Sequence, residues 1–116
     1  MKSSRWAPLA LMLLALQAHA APDISGANLA RDMLADPAKG ANSMKRQWAM
    51  GYIEGVMSAT TGQRWCPGKT VPLELNYDVA EALTAMKPEQ LKGSAAPLVI
   101  AILAERYPCK PNGGIQ

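Results

Sequence analysis

The sequence predicts an all-α fold, a small four-helix bundle with one disulfide joining the ends of helices two and four. Three observations carry that prediction. Four segments space their apolar residues three and four apart, no segment sustains the alternation of a half-buried strand, and the two cysteines, Cys66 and Cys109, follow the ends of the second and fourth segments. In an up-down-up-down bundle those two ends share a pole, so topology and bond support each other.

The chain has 116 residues, and residues 1–20 read as an export signal. Lys2 and Arg5 supply a basic start, Ala7 to Leu16 an apolar run, and Ala18-His19-Ala20 a small-x-small site before Ala21-Pro22, which predicts cleavage after Ala20. The apolar run is far shorter than the roughly 20 residues a membrane-spanning helix needs, so no membrane association is expected after cleavage. Residues 21–116 then form one exported domain. Removing Lys2 and Arg5 lowers Lys+Arg from 12 to 10 against 9 Asp+Glu, so the net charge falls from +3 to about +1 and a nucleic-acid partner is not expected. His19, the single histidine, leaves with the signal. The remaining domain has no side chain whose unperturbed pKa lies near neutrality, which argues against an enzyme and against histidine metal sites. No catalytic residue, cofactor or metal ligand is expected.

The first helix starts behind Ser25 as N-cap, with Leu29, Met33 and Leu34 at helical spacing, and ends by Asp36-Pro37. Residues 35–42 read as a loop. The second helix runs from Asn42 or Ser43 to about Thr60 on the spacing of Met44, Trp48, Tyr52, Ile53, Val56 and Met57. Inside it, Gly51-Tyr52-Ile53-Glu54-Gly55 sets two glycines on one face, and each Gly costs about 1 kcal/mol relative to Ala. Gly51, Tyr52 and Gly55 are therefore read as a helix-packing site where another backbone approaches closely; the alternative is a binding groove over bare backbone. Thr61-Gly62 ends the helix, and a loop follows to Pro72. Pro72 opens the third helix, which carries Leu73, Tyr77, Val79, Ala80, Leu83 and Met86 and stops near Pro88. Ser94 caps the fourth, with Leu98, Val99, Ile102 and Leu103 as its buried stripe. Lys110 to Gln116 is a tail.

An even cysteine count in an exported domain is most simply one Cys66–Cys109 disulfide, two separate thiols being the alternative. Arg64, Trp65 and Lys69 lie on the loop that this bond would pin. Trp and Arg are enriched in interface hot spots, so these residues are candidate partner contacts, although Trp65 is also the residue type that covers a core. Glu89, Gln90 and Lys92 lie on a plain surface turn between helices three and four. Glu74, Asp78 and Glu81 share one face of helix three without a basic neighbour at i±3 or i±4, which reads as a solvated face or a docking surface for a basic partner.

These residues together resemble a known family. Gly51-Tyr52-Ile53-Glu54-Gly55-Val56, then Trp65-Cys66-Pro67, Lys69-Thr70-Val71, a helix ending near Pro88, and Ala95-Ala96 leading into Tyr107-Pro108-Cys109 are similar to the Rap/Tai immunity proteins of type VI secretion amidases. The likeness is most specific over residues 51–109, and Ser25 to Leu29 extends it. It implies a helical periplasmic immunity protein, without enzymatic activity, that binds and inhibits a peptidoglycan amidase effector. It also implies a homodimer, and a protruding loop that blocks the effector's catalytic cleft. By this resemblance the loops at Arg64 to Lys69 and Lys87 to Lys92 become candidate contacts. Family members often carry a second cysteine pair where this chain has Met33 and Ala49. Its absence predicts a first helix held only by packing and hence mobile. Two other function classes compete: an HdeA-like acid-stress chaperone or other stress-related binding protein, and a hydrolase built on Glu54 or on Glu74, Asp78 and Glu81.

Overall fold

The computed structural model describes residues 23–111; the export signal expected over residues 1–20 lies outside them. Five helices follow in order: α1 Gly26–Leu34, α2 Asn42–Thr60, α3 Pro72–Ala85, α4 Pro88–Leu91 and α5 Ala95–Arg106. No strand occurs among the described residues. The four long helices are those the spacing predicts, and α5 is the fourth of them. The single turn α4 occupies what the sequence suggests is a plain surface turn: Pro88 fits its first position, and the Gln90 side chain accepts a 3.0 Å hydrogen bond from the Lys87 N–H.

Local chemistry sets the boundaries. Ser25 Oγ accepts from the Asn28 N–H at 3.1 Å and opens α1 as the N-cap expected. Beyond α1, Asp36 Oδ1 accepts from the Ala38 N–H at 3.0 Å and turns the chain toward α2. The core is one cluster drawn from all four long helices, including Leu29 and Met33 of α1, Ala49 and Ile53 of α2, Val79 and Leu83 of α3, and Val99 and Leu103 of α5. Met33 and Ala49, the positions at which the resemblance suggests looking for a second cysteine pair, are both buried, so apolar packing occupies them.

The buried faces differ from the predicted stripes in three helices; in α1, Leu34 is exposed while Leu29 and Met33 are buried. In α2, Met44 and Trp48 are exposed while Ala49, Ile53 and Met57 face inward; in α3, Leu73 and Tyr77 are exposed while Leu75 is buried. Both of the latter helices carry apolar residues around most of their circumference, so spacing alone cannot pick the inward face.

Packing is not the only thing that holds α1. The Gly26 N–H donates to Gly93 O at 3.0 Å, the Ala95 N–H donates to Ile24 O at 2.7 Å, and Ser94 Oγ–H donates to the Asp23 carboxylate. This short antiparallel strap corrects the expectation of a helix without further restraint. It also explains Gly26: a Cβ there would lie 2.5 Å from Leu98 Cδ1 and 3.3 Å from the Leu91 carbonyl oxygen. Gly26→Val is expected to cost about 1–3 kcal/mol by overpacking, read from the midpoint of urea unfolding.

Candidate functional site

The loop between α2 and α3 is rigid for reasons that can be traced residue by residue. The Thr61 N–H closes α2 on Met57 O, and Gly62, at φ 78°, turns the chain so that its N–H meets Trp65 O at 2.9 Å. Trp65 then enters the core at 1% exposure, and its indole Nε1–H donates to Thr60 Oγ1 at 2.9 Å. Cys66 follows, bonded to Cys109 with their Cα atoms 4.9 Å apart, and its N–H donates to Tyr107 O at 2.8 Å. A second turn through Gly68, at φ 60°, leads to α3.

The expected contact residues separate accordingly. Arg64 and Lys69 are exposed on this pinned loop, whereas Trp65 is buried and covers the end of the core. Glu89 and Lys92 are exposed on and after α4, and the Gln90 carbonyl oxygen is engaged with Lys87. The α4 segment leads into the start of α5 and the disulfide follows its end. Twelve helical residues span roughly 18 Å, so the two candidate surfaces are not brought together.

An all-α domain with this disulfide reproduces the pattern that the sequence suggests, and the family model of the Rap1a immunity proteins matches residues 25–109, from the cap of α1 to the second cysteine. The chain belongs to the Rap1a immunity proteins. As a Rap1a protein it is a non-enzymatic inhibitor whose partner is a cognate type VI secretion effector. No curated protein matches the chain. The disulfide accords with an extracytoplasmic location, and no described helix is long and apolar enough to cross a membrane.

In this Rap1a chain the acidic face of α3 is not unpartnered. Arg106 of α5 lies 3.8 Å from Asp78 and 3.5 Å from Glu81, and the Tyr107 hydroxyl donates to the Asp78 carboxylate. The cation comes from a helix 25 residues away, which neighbour spacing on α3 could not reveal. A docking surface for a basic partner therefore loses two of its three carboxylates. The Tyr107 phenol is raised above its ordinary 10.0, first by the hydrogen bond to Asp78 and then by burial. A raised phenol contributes stability that is fully present below pH 10 and is lost as pH rises through the higher folded value. The stability difference between the wild type and Tyr107→Phe should accordingly hold at pH 8 and shrink by pH 11 in parallel urea titrations.

The glycine pair also departs from expectation. Around a Cβ placed on Gly51 or Gly55 there is nothing within 4 Å, so these two residues do not receive a neighbouring helix within the domain. They lie opposite the buried stripe of α2, on a face with Met44 and Trp48. Trp48 stacks on half-buried Tyr52 with ring centroids 5.8 Å apart, and Tyr52 packs against the core cluster. Since space is free and the positions are helix-interior, Gly51→Ala and Gly55→Ala should each raise monomer stability by up to about 1 kcal/mol. Thermal unfolding of the two variants checks this.

Beside the pinned loop is an open cavity of about 300 Å³ that the sequence alone does not announce. Met57 of α2, Trp65 of the loop and Leu75 of α3 line it, and Glu54 supplies its one carboxylate. Behind the wall, fully buried Asn76 donates from Nδ2 to Glu54 Oε1 and to Pro72 O, both at 3.1 Å. The signal that could have located it is Asn76 itself. A polar residue in register with Leu75, Val79 and Leu83 on the buried face of α3 requires a partner, and Glu54 is that partner.

Proposed function

We propose that this Rap1a protein acts in the periplasm, after cleavage behind Ala20, by binding and inhibiting a peptidoglycan amidase delivered by type VI secretion. The observation that carries the reading is the family match over residues 25–109. The pinned loop supports it: Arg64 and Lys69 stand on a segment fixed by the disulfide, Trp65 and two tight turns, so little ordering entropy is lost when a partner is met. Stoichiometric addition of the oxidised domain should abolish peptidoglycan hydrolysis by the cognate amidase. Arg64→Glu with Lys69→Glu should raise the half-inhibitory concentration by about tenfold or more, equivalent to about 1.4 kcal/mol. Full amidase activity in an excess of the protein would refute the reading. If Glu89→Lys with Lys92→Glu weakens inhibition instead, the α4 segment is the contact.

The proposal includes a homodimer. Met44, Trp48, Gly51 and Gly55 form an exposed strip of α2 without a charged side chain, with Glu54 at its flank. In a two-fold contact the same patch meets itself, so an uncharged strip avoids like-charge repulsion, and bare backbone at both glycines admits close approach by a second copy. Sedimentation equilibrium should report a dimer for the wild type and a monomer for Gly51→Arg.

A further inference from the structure

We propose that the cavity between α2, the pinned loop and α3 receives a cationic side chain, lysine or arginine, presented by the protein partner. The inference rests on the immunity reading for the identity of that partner, but the chemistry is that of the site. Its walls at Met57, Trp65 and Leu75 suit an alkyl stem. Its polar groups are the hydroxyls of Ser58, Thr61 and Thr70 and the carboxylate of Glu54, and no cation lines it. At about 300 Å³ it lies at the small end of ligand sites, matching one side chain better than a cofactor.

Charge decides among possible occupants. A purely apolar group would strip water from Glu54 and return nothing, and an anion would be repelled. A cationic head on an apolar stem satisfies both halves of the cavity, the arrangement by which long basic side chains bury their stems while keeping the charge paired. The carboxylate is held for this. Asn76 Nδ2 fixes Glu54 Oε1 from behind, at full burial, and its second bond to Pro72 O ties that clamp to the first turn of α3. Asn76 Oδ1 is buried without a partner among the described residues, but Asn76 stands behind the wall and does not line the cavity, so its part is to hold Glu54. Nor is Glu54 bridged to any cation in the described residues, unlike Asp78 and Glu81 on the next helix.

The test uses the oxidised, full-length mature protein and needs no effector. Butylammonium and butylguanidinium are titrated in separate experiments, with n-butanol as the uncharged probe, and backbone amide shifts are followed by NMR. Saturable shifts at Glu54, Ser58, Thr61 and Thr70 with both cations, absent with butanol, are expected. Glu54→Gln, whose amide oxygen can still accept from Asn76, should keep the fold by circular dichroism and weaken cation binding by about tenfold or more. Equal binding of butanol, unchanged affinity in Glu54→Gln, or shifts spread over Glu74, Glu89 and other surface acids would overturn the proposal. The same variant in the amidase assay separates the two ideas: inhibition intact despite a cation-binding cavity removes the partner's side chain from the site, while loss of all inhibition by the wild type removes the partner.

Discussion

Loss of the Cys66–Cys109 bond, by reduction or by replacing both cysteines with serine, is expected to lower the unfolding free energy by about 2–5 kcal/mol. The bond closes a loop across 43 residues, for which the chain-entropy treatment gives on the order of 4 kcal/mol. A domain of this size has only about 5–14 kcal/mol in total, so one bond supplies a large share. The loop it closes contains α3, α4 and α5, and the Cys66 N–H to Tyr107 O hydrogen bond beside it depends on the same alignment. Urea unfolding with and without reductant measures the effect, and equal midpoints would show that the bond is dispensable. Because Arg64 and Lys69 flank Cys66, reduction should also weaken inhibition of the effector under conditions where the reduced protein is still folded.

Trp65→Ala should cost about 3–5 kcal/mol, the range for emptying a buried aromatic site. At 1% exposure the indole is the largest fully buried side chain among the described residues, and its removal opens a void where α2, the loop and the disulfide meet. Trp65→Phe refills most of that volume and loses only the N–H bond to Thr60. Thr60 Oγ1 still donates to Val56 O at 2.7 Å, so no donor is stranded and the cost should stay near 1–2 kcal/mol. The pair of variants separates support from contact. If inhibition falls with Trp65→Ala and returns with Trp65→Phe, the residue acts by holding the loop; equal loss in both at full folding would mean that the indole itself meets the partner.

Helix positions were legible because their signals are local. Ser25, the Asn42 to Thr60 periodicity, Pro72 and Ser94 each mark a boundary within one turn of chain, although the Ser94 hydroxyl makes no cap bond and donates to Asp23 instead, and the cysteine pair added one long-range constraint that proved right. What depended on which face turns inward was not legible. Met44 and Trp48 have the same spacing as Ala49 and Ile53, and only the competition of all four long helices for one core decides between them. The glycines illustrate the same limit: Gly51 and Gly55, which looked like packing positions, are open, while Gly26, unremarked at the start of α1, is the position that admits no side chain without rearrangement. In the candidate site, Arg64 and Lys69 are exposed, and Trp65 covers the core, one of the two readings its residue type allows. The Glu54–Asn76 clamp joins residues 22 apart and needed the fold to be seen.

The contrasting surroundings of two tryptophans give the domain a built-in optical readout. Residues 21–116 contain only Trp48 and Trp65, one about half exposed and the other enclosed. Their emission should therefore separate by quencher access: iodide reaches Trp48 and leaves Trp65 untouched until the fold opens. Docking of a second copy on α2 would shield the first lamp, and breaking the disulfide pole would unveil the second. Assembly and unfolding can thus be followed independently in one cuvette, without any label.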